Sequence, residues 1–255
     1  MNHLIALNKM NINLWGPALW SVLHGIVGFT NSENSKYMQG ILENLKYLLP
    51  CIHCLRSYNE FYPLLQNSEL KLRHGEGIEL VYKLHNMVND KLENQKLNSF
   101  IAKVHPDPET EARMRAERIT LSPRPSLEVV RKRFALSEGR PFSEDQVWRV
   151  LIAFVFDIES GSTRPAELNK FVTNLYHMLE STQMYEKLAK ELKKLKFPSK
   201  FTVFEGFSIL AFVKEDVSYK DLTSAIKSEK AWLLPLYELY EQDLPAGSCS
   251  VFTCK

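Results

Sequence analysis

The chain has 255 residues, of which 45% are hydrophobic and 24% charged, and its formal net charge is +2. This composition is ordinary for a soluble globular protein, and the charge is too small to indicate nucleic acid or a membrane surface as a partner. No stretch is long and apolar enough to span a bilayer, and the N-terminus lacks a basic region followed by an apolar run, so we expect neither a membrane anchor nor a secretory signal.

The first part of the chain predicts short amphipathic helices. Trp15-Gly16-Pro17 is expected to open the first helix, because proline is tolerated in a first helical turn. Apolar residues at three- and four-residue spacing then predict helices over 34–49 and from Ile78 to Leu92. Together with a helix that begins after Pro50, these predict a small bundle over residues 1–104.

The second part predicts a further, mostly helical domain over residues 127–245. Four prolines punctuate residues 105–126, which we interpret as a linker with one short helix around 111–119. Ser143-x-x-Gln146 is typical of a capping box and predicts a helix through Ile158. Further amphipathic segments cover 165–180, 183–196 and 219–242, and residues 201–213 fit a strand or a buried helix. Residues 246–255 are expected to form a flexible tail. The predicted fold class is mainly all-α.

Cys51-Ile52-His53-Cys54 is the motif with the clearest chemistry. Two cysteines three positions apart on a helical turn lie on one side of it, and the start of a helix stabilises a thiolate. A zinc site needs about four ligands, and the other cysteines, Cys249 and Cys254, lie at the far end of the chain. We therefore favour a redox-active pair. The alternative, a binding module in which the pair is a structural or zinc half-site, stays open.

Three motifs in order carry a family resemblance: residues 15–24 (WGPALWSVLH), 49–54 (LPCIHC) and 85–92 (HNMVNDKL). Together they resemble the FAD-linked sulfhydryl oxidases of the Erv/ALR family, in the form encoded by large DNA viruses. The resemblance covers about residues 14–100. It implies a four-helix bundle that holds FAD with the cysteine pair against the flavin ring, and a homodimer.

The resemblance also implies roles for individual residues. Cys54 would be the thiolate facing the flavin, and Cys51 would exchange with the substrate. The implied FAD-binding residues are Trp15, Trp20, His24, His85, Asn86, Asn89 and Lys91. Many members carry a basic residue where this chain has Asn94, and Lys91 or Lys96 are the candidates to replace it.

The implied activity is disulfide formation in protein dithiol substrates, with electrons passing through the cysteine pair and FAD to O2, which becomes H2O2. The implied location is the cytoplasm of a virus-infected cell, and possible virion packaging is left open. Cys249 and Cys254 are a candidate shuttle pair; idle thiols or a static disulfide are the alternatives. The basic run Arg131-Lys132-Arg133 is interpreted as a solvated face, so we do not expect nucleic acid as a partner. The cysteine spacing leads us to expect no metal.

Overall fold

The computed structural model describes residues 12–66, 76–121, 124–134, 139–158, 165–201 and 203–215. All regular elements in these ranges are helical, which confirms the predicted all-α class. None of the described helices combines the length and hydropathy needed to cross a membrane. The segment predicted over 219–242 and the tail pair Cys249 and Cys254 lie outside the described residues.

Ten α-helices follow one another, with a 3₁₀ turn at Gln183–Tyr185 before the ninth, in the described part of the chain. They are α1 (Ile12–Val27), α2 (Ser35–Leu48), α3 (Ile52–Gln66), α4 (Glu76–Val104), α5 (Pro108–Leu121), α6 (Leu127–Arg133), α7 (Glu144–Ile158), α8 (Pro165–Leu179), α9 (Glu186–Lys194) and α10 (Val203–Glu215).

Two helix boundaries differ from the prediction. Helix α1 begins at Ile12 instead of the Trp15–Pro17 turn, because Ile12 already packs against the core and Pro17 is tolerated on the exposed side. Helix α4 continues past Leu92 to Val104, since neither glycine nor proline interrupts the chain before Pro106. The ambiguous stretch 201–213 is helical in α10.

Other local predictions are confirmed. The N–H of Ser143 donates to Gln146 Oε1 (2.8 Å), and the N–H of Gln146 donates to Ser143 Oγ (3.2 Å), which is the reciprocal pattern of a capping box. Helix α7 then ends at Ile158 as expected. The predicted linker contains α5, which includes the short helix expected around 111–119.

Helix packing repeats along the chain. In the first half α1 packs on α4, α4 on α3 and α3 on α2; in the second half α7 packs on α10, α10 on α9 and α9 on α8. The two halves meet through α1 against α7 and α2 against α8. Helices α7–α10 are therefore paired in the same chain order as α1–α4, and each half contributes corresponding helices to the contact. Closure of α1–α4 as a four-helix bundle stays a prediction.

Most of the buried apolar side chains in the described ranges form one continuous cluster that includes both halves. Ile26 and Leu42 from the first half and Trp148 and Phe171 from the second are at most 1% exposed. The predicted linker over residues 105–126 therefore connects two sets of helices that share a core. Whether each set is an independent domain stays a prediction.

Candidate active site

The cysteine pair lies at the start of α3. Cys51 immediately precedes the helix and Cys54 is in its first turn, and neither forms a disulfide. The backbone N–H of Cys54 donates to Cys51 Sγ (3.3 Å), so Cys51 occupies the N-cap position, where a side-chain acceptor satisfies an unpaired helix N–H. Pro50 ends the extended connection from α2 and directs the chain into this turn.

The two sulfurs are electrostatically unequal. A hydrogen bond from the Cys54 thiol to Cys51, reinforced by burial, raises the pKa of Cys54 well above its ordinary value, while the positive charge of Lys91 acts in the opposite direction. Cys51 receives the helix N–H, a donor that favours a thiolate over a thiol. Both effects favour the proton on Cys54 over Cys51 in the reduced pair, and the role of Cys54 as the flavin-facing thiolate stays a prediction from the resemblance.

Cys54 lines a cavity of about 90 Å³ to which all three sequence motifs contribute. We call it the cysteine cavity. It is bounded by α1, the end of α2, α3 and α4, and its lining is mostly apolar. The lining residues are Ile12, Trp15, Gly16, Leu19, Trp20, Leu23, Leu45, Leu49, His53, Cys54, Ser57, Tyr58, Val88, Lys91, Leu92 and Gln95. Cys51 is not among them, so the two sulfurs face different surroundings.

A stack of aromatic rings begins at the cavity wall. Trp20 lies face to face with His85 (ring centroids 4.0 Å apart, planes at 8°), and His85 Nδ1 is 3.2 Å from His24 Nε2. The ring of Phe134 lies over His24 at 5.0 Å with the planes at 20°. We call these four residues the aromatic stack. It extends from Trp20 on α1, which lines the cysteine cavity, to His85 on α4, which belongs to the third motif.

Two buried nitrogen atoms at this site have no hydrogen-bond partner among the described residues. They are Trp15 Nε1, on a residue of the cavity wall, and His24 Nδ1, in the aromatic stack. A buried polar atom without a partner is destabilising, so its position in a native fold suggests a ligand or water that completes it. Both atoms are therefore free, among the described residues, to accept or donate a hydrogen bond to a polar ligand.

The chemistry of these residues fits FAD. Flat indole and imidazole rings suit a planar heteroaromatic ligand, and Trp15 Nε1 and His24 Nδ1 can form directional hydrogen bonds. The cavity volume of about 90 Å³ is smaller than a tricyclic ring system, so flavin binding would require the apolar wall side chains to move apart.

The predicted cofactor-binding residues do not all reach the cavity. Trp15, Trp20 and Lys91 line it, whereas His24 and His85 belong to the aromatic stack behind Trp20. Asn86 and Asn89 are half-buried on α4 next to His85 and do not line the cavity.

Lys91 is held in place by a hydrogen bond from its Nζ to Ser57 Oγ (2.7 Å), and Ser57 Oγ donates in turn to the backbone O of His53 (2.7 Å). The cation is thus fixed over the same helix that carries Cys54.

Sequence reasoning missed Arg124 and Phe134, which approach this region from the segment assigned to the linker and the second domain. Arg124 binds the backbone O of Asn86 (3.3 Å), and Phe134 completes the aromatic stack. Neither position carries a recognisable motif, because their roles depend on how the chain returns to α4 after α5. Only the tertiary structure brings them to the site.

No protein-family model, curated protein or solved structure matches this chain. The Erv/ALR resemblance therefore rests on the three motifs. Within the described ranges no group of three or more His, Cys, Asp or Glu side chains is arranged to hold a metal ion.

Proposed function

We propose that the protein is an FAD-dependent thiol oxidase that forms disulfide bonds in protein substrates. One observation carries the proposal: the three motifs, separated along the chain, converge so that Cys54, Trp15, Trp20 and Lys91 line one cavity. A thiol, planar aromatic walls and a fixed cation form a suitable environment for electron transfer from a dithiol to a flavin. The proposed location is the cytoplasm of a virus-infected cell, by resemblance.

The two cysteines have separate roles in the proposed reaction. A substrate thiolate attacks Cys51 of the Cys51–Cys54 disulfide, the S–S bond breaks, and the electrons of that bond leave on Cys54. A second substrate thiol then displaces Cys51, which releases an oxidised substrate and leaves a reduced pair. Two electrons and two protons must leave this pair before the disulfide can form again.

Bound FAD would be the two-electron acceptor for that step and would pass the electrons to O2, which becomes H2O2. Trp15 and Trp20 would position the ring system, and His24 and His85 would hydrogen-bond the cofactor. Cys54 must release its proton before its sulfur can donate electrons. The positive charge of Lys91 favours this deprotonation.

The test is an absorption spectrum of the purified chain, followed by oxygen consumption with dithiothreitol. We expect flavin bands near one FAD per chain and thiol-dependent formation of H2O2. Cys54→Ser and Cys51→Ser should each reduce turnover to background while retaining FAD. A colourless protein, or Cys54→Ser with undiminished oxygen consumption, would contradict the proposal.

The tail cysteines provide a matched control because they are the chain's other two cysteines. Cys249→Ser/Cys254→Ser should oxidise dithiothreitol at the wild-type rate, because a small dithiol reaches Cys51 directly. With a reduced protein substrate, a slower rate for this double variant would support the proposed shuttle. An unchanged rate with the protein substrate would refute it.

A further inference from the structure

Residues 124–134, which we call the covering segment, lie against the face of α4 that carries the third motif. Arg124 Nη2 donates to Asp90 Oδ1 (2.7 Å) and to Glu93 Oε2 (3.0 Å), and Arg124 Nη1 donates to the backbone O of Asn86 (3.3 Å). One arginine therefore bridges three positions spaced along one side of α4. This segment lies outside residues 14–100, to which the family resemblance is confined.

The covering segment has further anchors on α4. Tyr82 Oη donates to the backbone O of Pro125 (3.0 Å), and Arg131 pairs with Glu79 at 3.7 Å. Ser126 caps α6 by accepting the N–H of Val129 at 3.3 Å. The segment is thus a short capped helix with polar contacts to α4 at several points.

The last residue of the segment, Phe134, packs on His24. Phe134 is 9% exposed, and its ring lies over His24 as the last member of the aromatic stack. The end of α1 approaches the same point closely, since a Cβ on Gly28 would lie 3.1 Å from the backbone O of Phe134. Phe134 is therefore a buried contact of His24 that comes from outside the three motifs.

The segment also brings positive charge to the histidines. Burial is the main cause that lowers the pKa of His24 and of His85 to about 4. The charge of Arg133 lowers the pKa of His24 further, and the charge of Arg124 lowers that of His85 further. Both imidazoles are therefore neutral at neutral pH. A neutral imidazole offers one donor and one acceptor, which suits directional recognition of a nucleotide base.

We propose that the covering segment forms the wall of the nucleotide half of the FAD site, with Phe134 packed behind His24 and Arg124 positioning the face of α4 from Asn86 to Glu93. This inference rests on the proposed function and adds that these two residues determine selectivity for FAD over FMN, which lacks the adenylate. Arg124 is a positioning residue, because its partners are protein atoms.

The experiment measures FAD and FMN affinity by flavin fluorescence, using the full chain after flavin removal and reconstitution. Phe134→Leu retains an apolar side chain but removes the ring, and Arg124→Met retains the length but removes the charge. We expect each variant to weaken FAD binding about tenfold, as loss of a stacking or positioning contact would, with FMN affinity unchanged. Arg113→Met, at an exposed position of α5 outside the covering segment, should bind both flavins like the wild type.

The two ligands distinguish the possible results. Unchanged FAD affinity in both Phe134→Leu and Arg124→Met would overturn the inference while leaving the proposed oxidase intact. Equal loss of FAD and FMN affinity would also overturn it, because that result indicates general loosening of the fold. A wild-type chain that binds neither flavin would overturn both proposals. A melting temperature for each flavin-free variant shows whether a loss of affinity accompanies a loss of stability.

Discussion

Lys91 lies where its positive charge acts on the sulfur of Cys54. Its Nζ is held by Ser57 Oγ at 2.7 Å, and it lines the cavity beside Cys54. Many members of the family that the motifs resemble carry a basic residue where this chain has Asn94. Lys91 is one of two candidates to replace that residue. Because the structure places Lys91 near the sulfur, its charge instead favours the Cys54 thiolate against burial and the hydrogen bond with Cys51.

We therefore predict that Lys91→Met slows reduction of bound flavin by excess dithiol at neutral pH and moves its pH dependence to higher pH. Loss of the positive charge raises the pKa of Cys54 further, so a higher pH is needed to form the thiolate. Stopped-flow flavin bleaching between pH 6 and 10 measures this effect. Lys83→Met, on the same helix but paired with Glu79, is the control for ionisation of the dithiol itself. Coincident pH profiles for Lys91→Met and the wild type would refute the assignment.

The buried pair His24 and His85 makes stability sensitive to acid. Burial, and to a smaller extent nearby positive charge, lowers the pKa of His24 from 6.5 to about 4. Below pH 6.5 the unfolded chain therefore takes up a proton at His24, while His24 of the native chain stays neutral. The stabilisation is fully present above pH 6.5 and is lost as pH falls towards 4. For His24 alone it amounts to about 3 kcal/mol.

We expect the free energy of unfolding to decrease between pH 6.5 and 4, measured by urea denaturation of the flavin-free chain. His24→Gln should reduce the slope of this decrease, because glutamine does not titrate, whatever its effect on stability at pH 7. His105→Gln is the control, since His105 is exposed in the connection between α4 and α5. An unchanged slope for His24→Gln would show that other groups cause the acid sensitivity.

At the scale of elements, the contact between α1 and the second half depends on a glycine. A Cβ on Gly25 would overlap the ring of Phe142, the residue that leads into the capping box of α7. Phe142 cannot move aside easily because its ring stacks on Tyr185 (4.5 Å, 10°), and Tyr185 Oη donates to its backbone O at 2.7 Å. Gly25 therefore sets how closely α1 approaches the second half.

Gly25→Ala should lower the free energy of unfolding by up to about 2 kcal/mol, since overpacking costs about 1–3 kcal/mol and alanine returns about 1 kcal/mol of helix propensity. The effect should change sign when the ring is removed: in a Phe142→Leu background, the same substitution should be neutral or stabilising. Chemical denaturation of the four proteins of this double-mutant cycle measures both effects. A destabilisation of equal size in both backgrounds would exclude the steric explanation.

The sequence predicts elements better than it predicts their assembly. The capping box, the CxxC turn and most helices follow from local hydrogen bonding and apolar spacing, which act within a few residues. The ends of α1 and α4 differ from prediction because a proline near a helix start does not fix that start, and a helix without a breaker continues beyond its apolar pattern. Arg124 and Phe134 could not be predicted because their contacts with Asn86 and His24 connect distant parts of the chain.

At the scale of the whole molecule, the two halves contact each other as two copies of one bundle would. Helices α1 and α2 are covered by α7 and α8, which hold the corresponding places in the pairing order of the second half. Such reciprocal contact between corresponding elements is the pattern of a two-fold interface between identical subunits. Here both sides belong to one chain, and only the first half carries the CxxC pair.

We therefore expect the chain to sediment as a single 29.5 kDa species at micromolar concentration, because its own second half already covers the α1–α2 face. The resemblance predicts the opposite, a homodimer, so sedimentation velocity of the FAD-bound protein distinguishes the two. A mass of one chain at every concentration would support the idea that the second half of the chain takes the place of a second subunit. A mass of twice that value would show that the chain associates through another surface. In that case the exposed apolar residues Leu64 on α3 and Phe100 on α4 would be the first positions to change to Ser and Asn.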